Sequence, residues 1–318
     1  MARRRDLEVH RFAHEAMTTV FEIFIAGKTE AYARQASRAA FDEIDRIERL
    51  FNRFDPSSEI SRLGRLRPGE KMMVGLETIE VLATAARVQA ETGGAFDVNY
   101  RGLQAAAERA ARRGAKKSAG PGGALPPPNL LGLISMGMVP GGFEIERRSA
   151  RPRKKLPPLD LDLGAVGKGY ALDRVREVLA DWSVANALVH SGTSTVLGIG
   201  PGPRAAEPGW PVGIASAWTR AGGPGALRLL DRALSGSGTE VKGEHIIDPS
   251  TGRPAAAHRA AWASHPSAAV SDALSTAFFV MAAADIGRYC RSHPGTWALV
   301  IISGKKCKIF PVNVFAQR

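Results

Sequence analysis

The chain has 318 residues, 44% of them hydrophobic, with two cysteines and a formal net charge of +12. That length supports one large core or two ordinary ones without covalent staples. Cys290 and Cys307 lack any C-x-x-C spacing, which excludes a disulfide framework, thiol redox chemistry and a zinc site as leading readings and leaves two small buried hydrophobes. Positive charge raises the question of nucleic acid. Eleven Lys and Arg against three Glu fall within residues 104–155, beside the Gly/Pro stretch SAGPGGALPPPN, with Phe143 the one aromatic and no aromatic interleaving of the basic residues. The segment reads as a solvated basic insertion, and nucleic acid is not the expected partner.

The first residues are basic, but Asp6, Glu8, His10, His14 and Glu15 interrupt them before an apolar core forms. With no signal peptide or lipobox visible, and no apolar run near the roughly 20 residues of a membrane span, the expected location is cytoplasmic. Met17 to Gly27 reads as an opening strand, and EAYARQASRAAFDEIDRIERLFNRF as a long amphipathic helix. DPSSEISRLG is a turn with Ser57 or Ser58 capping a short helix, and a second helix runs from GLETIEV to Gly93 and Gly94. GGFEIERR and PPLDLDLG read as strands, and Asp173 to Trp182 as the next helix. Between Ala185 and Pro254, short apolar runs divided by Gly, Pro and Ser suggest an antiparallel meander. SDALSTAFFVMAAADIGRYCRSH reads as one helix, and TWALVIISG with KKCKIFPVN as a closing hairpin. Strands beside strands, flanked by helices, predict an α+β fold.

Four stretches place polar groups where elements end. In GGAFDVN, Asp97 follows a glycine pair that either admits a ligand or simply ends a helix. LDLGAVGKGYALD is no P-loop, because Gly169 follows Lys168, and its glycines do not fit G-x-G-x-x-G. Asp160 and Asp162 would share one strand face, needing Lys168 or a metal between them; the glycines would offer N–H groups to an anion, or merely a tight turn. In EHIIDPSTGRP, His245 and Asp248 flank two isoleucines. In SDALSTAFF, Asp272 and Thr276 share a helical face as hard oxygen donors suited to magnesium or calcium, unless Ser271 caps and Asp272 serves the helix dipole.

In this order, MTTVFEI, FNRFDPSSEISRL, ETGGAFDVN, DLGAVGKGYALD, ALVHSG, ALSGSG, HIIDPSTGRP and SDALSTAFFVM resemble the ApbE family of FAD:protein FMN transferases over most of the chain. The resemblance implies an ApbE-like α+β fold with a mixed, largely antiparallel sheet, as a single domain over 1–318 carrying the insertion at about 104–155. It implies magnesium-dependent transfer of FMN from FAD, the substrate, to a threonine hydroxyl of an acceptor protein, with release of AMP. Magnesium would be held by Asp272, Ser275, Thr276 and the carbonyl of Ala165. FAD would contact Met17, Phe54, Ala95, Phe96, Asp97, Asp162, Lys168, Ile246 and Ile247. His245 and Asp272 would be catalytic. The chain departs from the family pattern at Thr18, where glycine is usual, and at Phe54, where tyrosine is. It departs again at Gly64 and Gly236, in place of asparagine and threonine. An alternative therefore keeps the fold as an FAD-binding protein of weakened transfer, or as an FAD pyrophosphatase.

Overall fold

A computed structural model describes residues 6–102, 130–149, 158–214, 226–239, 246–302 and 307–311. His245 and the Gly/Pro stretch of the insertion lie outside them. The chain divides into two compact units, one of residues 1–48, 166–243 and 256–318, the other of residues 49–165 and 244–255.

The first unit is built on a hairpin of β1 (Val9–Ala16) and β2 (Thr19–Ala26). The strand expected from Met17 starts two residues later, because Met17 and Thr18 form the turn, both left-handed at φ 48° and 59°. β1 escapes a sequence reading because His10, Arg11, His14 and Glu15 interrupt its apolar pattern. Strands β6 (Ala187–Ser191), β7 (Thr195–Ile199), β10 (Arg232–Gly238), β13 (Ala260–His265), β14 (Trp297–Ile301) and β15 (Cys307–Phe310) extend the sheet in the order β1-β2-β6-β7-β10-β13-β14-β15. Every pairing is antiparallel.

The expected meander is interrupted. β8 (Trp210–Gly213) and β9 (Ala226–Leu229) leave the sheet as a separate hairpin. Ile214, Leu227 and Leu229 bury against Leu234, Trp297 and Leu299, so this hairpin gains more from covering the sheet than from joining its ladder. Helix α1 (Glu30–Phe51) buries Ala33, Ala36, Ala40, Ile44 and Ile47, the spacing of one helical face.

α5 (Gly167–Asp181) and α6 (Ala268–Val280) pack together, with α6 against β10 and β13. The helix expected to run from Ser271 to His293 is two. Met281 and Ala282 are extended at ψ 150° and 146°, and α7 (Ala283–Ser292) follows. Met281 to Ala284 are good helix formers, so the break is tertiary: buried His258 donates from Nε2 to the Met281 carbonyl at 2.8 Å.

The second unit holds β3 (Lys71–Val74), β4 (Ile134–Val139) and β5 (Gly142–Arg147), ordered β3-β5-β4 and antiparallel. α2 (Glu59–Gly64) is capped by Ser58, whose hydroxyl accepts from Ser61 N–H at 3.1 Å. α3 (Leu76–Glu91) ends at Thr92 and the left-handed Gly93 and Gly94, as expected, and a single turn, α4 (Leu130–Leu133), precedes β4. A small hairpin joins β11 (Ile247–Asp248) to β12 (Arg253–Pro254).

Residues 158–163 are not the expected strand. Asp162 N–H donates to the Val98 carbonyl at 2.8 Å and Asp160 N–H to Asn99 Oδ1 at 2.7 Å, so a neighbouring loop replaces a ladder. The alternation survives: Leu159, Leu161 and Leu163 are buried while Asp160 and Asp162 are half-exposed. Among the described residues, no helix is long and apolar enough to cross a membrane.

Candidate functional site

In the first unit the polar groups gather where α5 and α6 meet. α5 begins at Gly167, six residues before the predicted start, so Lys168 and Gly169 lie in its first turn and Ala165 immediately precedes the Val166 cap. Asp272, 3% exposed, accepts from Gly169 N–H through Oδ2 at 3.1 Å and from the Ser194 hydroxyl through Oδ1 at 3.5 Å. Asp173 of α5 reciprocates. Its carboxylate accepts from the Ser267 hydroxyl at 2.7 Å and from the N–H groups of Ala268 and Ala269 at 2.8 and 2.9 Å. Each helix therefore uses a carboxylate to satisfy the otherwise unbonded N–H groups at the start of the other. The cap of α6 is Ser267, not Ser271, whose hydroxyl donates to the Ala263 carbonyl at 2.9 Å.

One turn further along α6, Ser237 of β10 lies 2.9 Å from the Ser275 hydroxyl and 3.3 Å from that of Thr276. Ser275 is fully buried and donates to the Asp272 carbonyl at 2.8 Å, so it braces the cluster. One carboxylate and several hydroxyls are hard oxygen donors of low total charge. Among the described residues no three His, Cys, Asp or Glu side chains come together to hold a metal. This donor set fits a magnesium ion that takes the rest of its coordination from phosphate and water.

Gly236 has its own explanation. A Cβ there would lie 2.8 Å from Trp262 Nε1 and 2.9 Å from Cδ1, so the indole occupies the space a larger residue would need. Strand alternation puts it on the opposite sheet face from Ser237. Met17, at the hairpin turn, donates its N–H to Glu48 Oε1 at 2.9 Å.

The second unit carries the other predicted residues. Phe54 is 78% exposed, with the Arg53 guanidinium 4.4 Å from its ring centroid. Both line a cleft of about 380 Å³ that includes Ser61, Gly64, Leu159 and Asp160. A Cβ on Gly64 would stand 3.2 Å from the Leu159 carbonyl oxygen, which leaves little room for asparagine. Within this unit the charges beside the aspartates are arginines. Arg53 lies 3.9 Å from Asp160 and 3.5 Å from Asp162, and Arg101 lies 3.6 Å from Asp160. Tyr100 donates its hydroxyl to Asp162 Oδ2 at 3.4 Å. Burial first, and the Asp162 charge second, raise the pKa of that phenol.

Ala95 is half-buried and Phe96 lies in the core. Asp97 is 7% exposed; Oδ1 accepts from Asn99 N–H at 2.7 Å, while Oδ2 has no hydrogen-bond partner among the described residues. Burial pushes its pKa up to about 6, against the opposing pull of Asn99 N–H and the Gln89 side chain. Ile246 is buried and its carbonyl accepts from Ala255 N–H at 2.9 Å. Ile247 pairs with Pro254 in β11–β12, and Asp248 accepts from Ser250 N–H and hydroxyl at 2.8 and 2.7 Å, fixing the DPSTG turn.

Asp97 carries a measurable consequence. Its folded pKa lies above the unfolded value, so its neutral acid is harmless below pH 3.8. A cost of roughly 3 kcal/mol then accumulates as pH rises through about 6. Asp97→Asn should raise the melting temperature at pH 7.5, and the gain should shrink to roughly a third by pH 4.5. A gain independent of pH would assign the effect to something other than the carboxyl.

The sequence alone does not single out Arg53, Tyr100, Arg101, Asp173, Ser194 or Ser237 as site residues. Only Ser237 and Asp173 carried a usable signal, one on the inward phase of ALSGSG, the other closing GKGYALD one helical turn after Gly169.

The ApbE family model matches residues 17–301. The chain belongs to the ApbE family. The FAD:protein FMN transferase of Chlamydia muridarum is 25% identical over 252 residues, covering 75% of this chain and 72% of that protein. That of Klebsiella pneumoniae is 23% identical over 269 residues, covering 76% and 69%. Among solved structures, the flavin transferase ApbE from Vibrio cholerae aligns with a TM-score of 0.71 at 19% identity, over 96% of this chain and 98% of its own. The ApbE protein of Thermotoga maritima aligns with a TM-score of 0.74 at 23% identity, over 98% and 100%. The two-helix carboxylate cluster and the antiparallel sheet thus sit within an ApbE α+β fold.

Proposed function

We propose that this chain is an FAD:protein FMN transferase, moving FMN from FAD to a threonine hydroxyl of an acceptor protein and releasing AMP, with magnesium required. The observation that carries the reading is Asp272, buried and hydrogen-bonded to the first turn of α5, with Thr276 one turn away. ApbE membership supports the reaction class.

In this reading the start of α5, with Lys168, favours the negative pyrophosphate. Asp272, Thr276 and the Ala165 carbonyl hold magnesium, which when bound offsets the charge that grows as the pyrophosphate bridge breaks. Exposed Phe54 offers an aromatic face that needs no hydroxyl to stack. Ala95, Phe96, Asp97, Asp162, Ile246, Ile247 and Met17 complete the FAD contacts. The threonine oxygen forms a bond to the FMN phosphorus as the bond to AMP breaks, and the hydroxyl proton passes to a base, the role assigned to His245. The space taken by Trp262 at Gly236 and the tight contact at Gly64 are local adjustments of packing.

Purified full-length protein with FAD and magnesium should release AMP, and EDTA should suppress it. FAD retained in magnesium without AMP, even with an acceptor supplied, would replace the proposal with the FAD-binding alternative.

A further inference from the structure

β1 is the first strand of its sheet, bonded to β2 along all eight residues and, among the described residues, to no strand on its other side. A cleft of about 500 Å³ follows that edge, between β1 and one flank of α1. Its apolar lining is Phe12 of the strand and Phe41 of the helix, with His14 stacked on Phe41 at 5.0 Å between centroids. Its charged lining is Arg11, Arg34 and Arg38 against the single carboxylate Asp42.

The arginines differ in what they have left to offer. Arg11 is bonded to Glu22, a largely buried partner. Arg34 is held 5.2 Å over the Phe12 ring, and its pair with Glu30 joins two exposed side chains, a contact of little strength. Arg38 has no ion pair among the described residues. Ser37, 1% exposed, also lines the cleft, and its hydroxyl has no hydrogen-bond partner there.

A free strand edge with a helix alongside is the geometry of strand addition, in which main-chain bonds give affinity and alternate side chains enter the groove. No proline interrupts β1 and its pairing with β2 runs without a bulge, so its edge is guarded only by charged side chains such as Arg11 and Glu15. We propose that the β1 edge docks an extended, acidic segment of a partner polypeptide as a ninth strand. Its carboxylates meet Arg34 and Arg38, and its apolar residues lie on Phe12 and Phe41. Arg34 and Arg38 facing Asp42, with Arg11 already held by Glu22, favour an acidic segment over a basic one, and the net charge of +12 speeds its approach. This inference stands apart from the flavin reading, since its test measures no turnover.

The test is fluorescence anisotropy of the full-length protein with a labelled, end-capped peptide of four Glu-Val repeats, beside a Lys-Val counterpart. Two further Glu-Val peptides carry N-methyl groups on alternate residues, one version for each edge. The Glu-Val peptide should bind saturably and the Lys-Val peptide should not. One of the two N-methylated versions should lose binding. The double variant Arg34→Glu, Arg38→Glu should bind at least roughly tenfold more weakly, with an unchanged circular dichroism spectrum. No saturable binding of the Glu-Val peptide, or equal binding of both N-methylated versions, overturns the proposal. So does sedimentation showing a dimer whose β1 amides are protected from exchange, because a second copy would then occupy the edge.

Discussion

Alanine at position 169 should destabilise the protein by about 3 kcal/mol, lowering its melting temperature by roughly 5–10 °C. Helix propensity alone predicts the opposite, since Gly→Ala in a helix usually gains about 1 kcal/mol. The contact decides. A Cβ on Gly169 would lie 2.6 Å from the Ala268 carbonyl carbon and 2.8 Å from Asp272 Cβ, with the Ala268 carbonyl oxygen closer still. Backbone cannot swing aside as a long side chain can, so α5 and α6 would have to separate. Thermal unfolding of Gly169→Ala checks this, and an unchanged or raised melting temperature would refute the close approach of the two helices.

Asp272→Asn should divide structure from chemistry. The amide oxygen of asparagine can still accept from Gly169 N–H, so stability should stay within about 1 kcal/mol of the parent. What disappears is the one negative charge in a cluster otherwise made of Ser194, Ser237, Ser275 and Thr276 hydroxyls. If that charge holds magnesium, AMP release should fall roughly a hundredfold or more, as expected when several kcal/mol of charge stabilisation are lost. Added magnesium should raise the melting temperature of the parent but not of the variant. Equal AMP release by the two proteins would remove Asp272 from the chemistry and leave it a purely structural residue.

Local features were legible in the sequence where local physics sets them. The apolar spacing of α1, the cap at Ser58, one of the two serines the turn offers, and the glycine stop after α3 depend on neighbours along the chain, and the structure contains all three. Elements decided by distant partners were not. The break at Met281 depends on His258, the detour of residues 158–163 on Val98 and Asn99, and the missing β1 on pairing with β2 despite its charges. The same holds for the site. Asp272 and Thr276 were visible as a helical pair, whereas Ser194, Arg53 and Arg101 join their clusters from segments that no spacing connects.

The reciprocal ties between α5 and α6 explain the spacing of GKGYALD. Gly169 and Asp173 are four residues apart, so they lie on one side of α5, and that side is the one turned to the start of α6. Adding or removing one residue between them would turn Asp173 by about 100° around the axis while Gly169 stayed in place. The run that looks like a loop for cradling phosphate is, in its second half, a matter of helical phase. Its length is set by the geometry of a clasp, whatever ligand the first half receives.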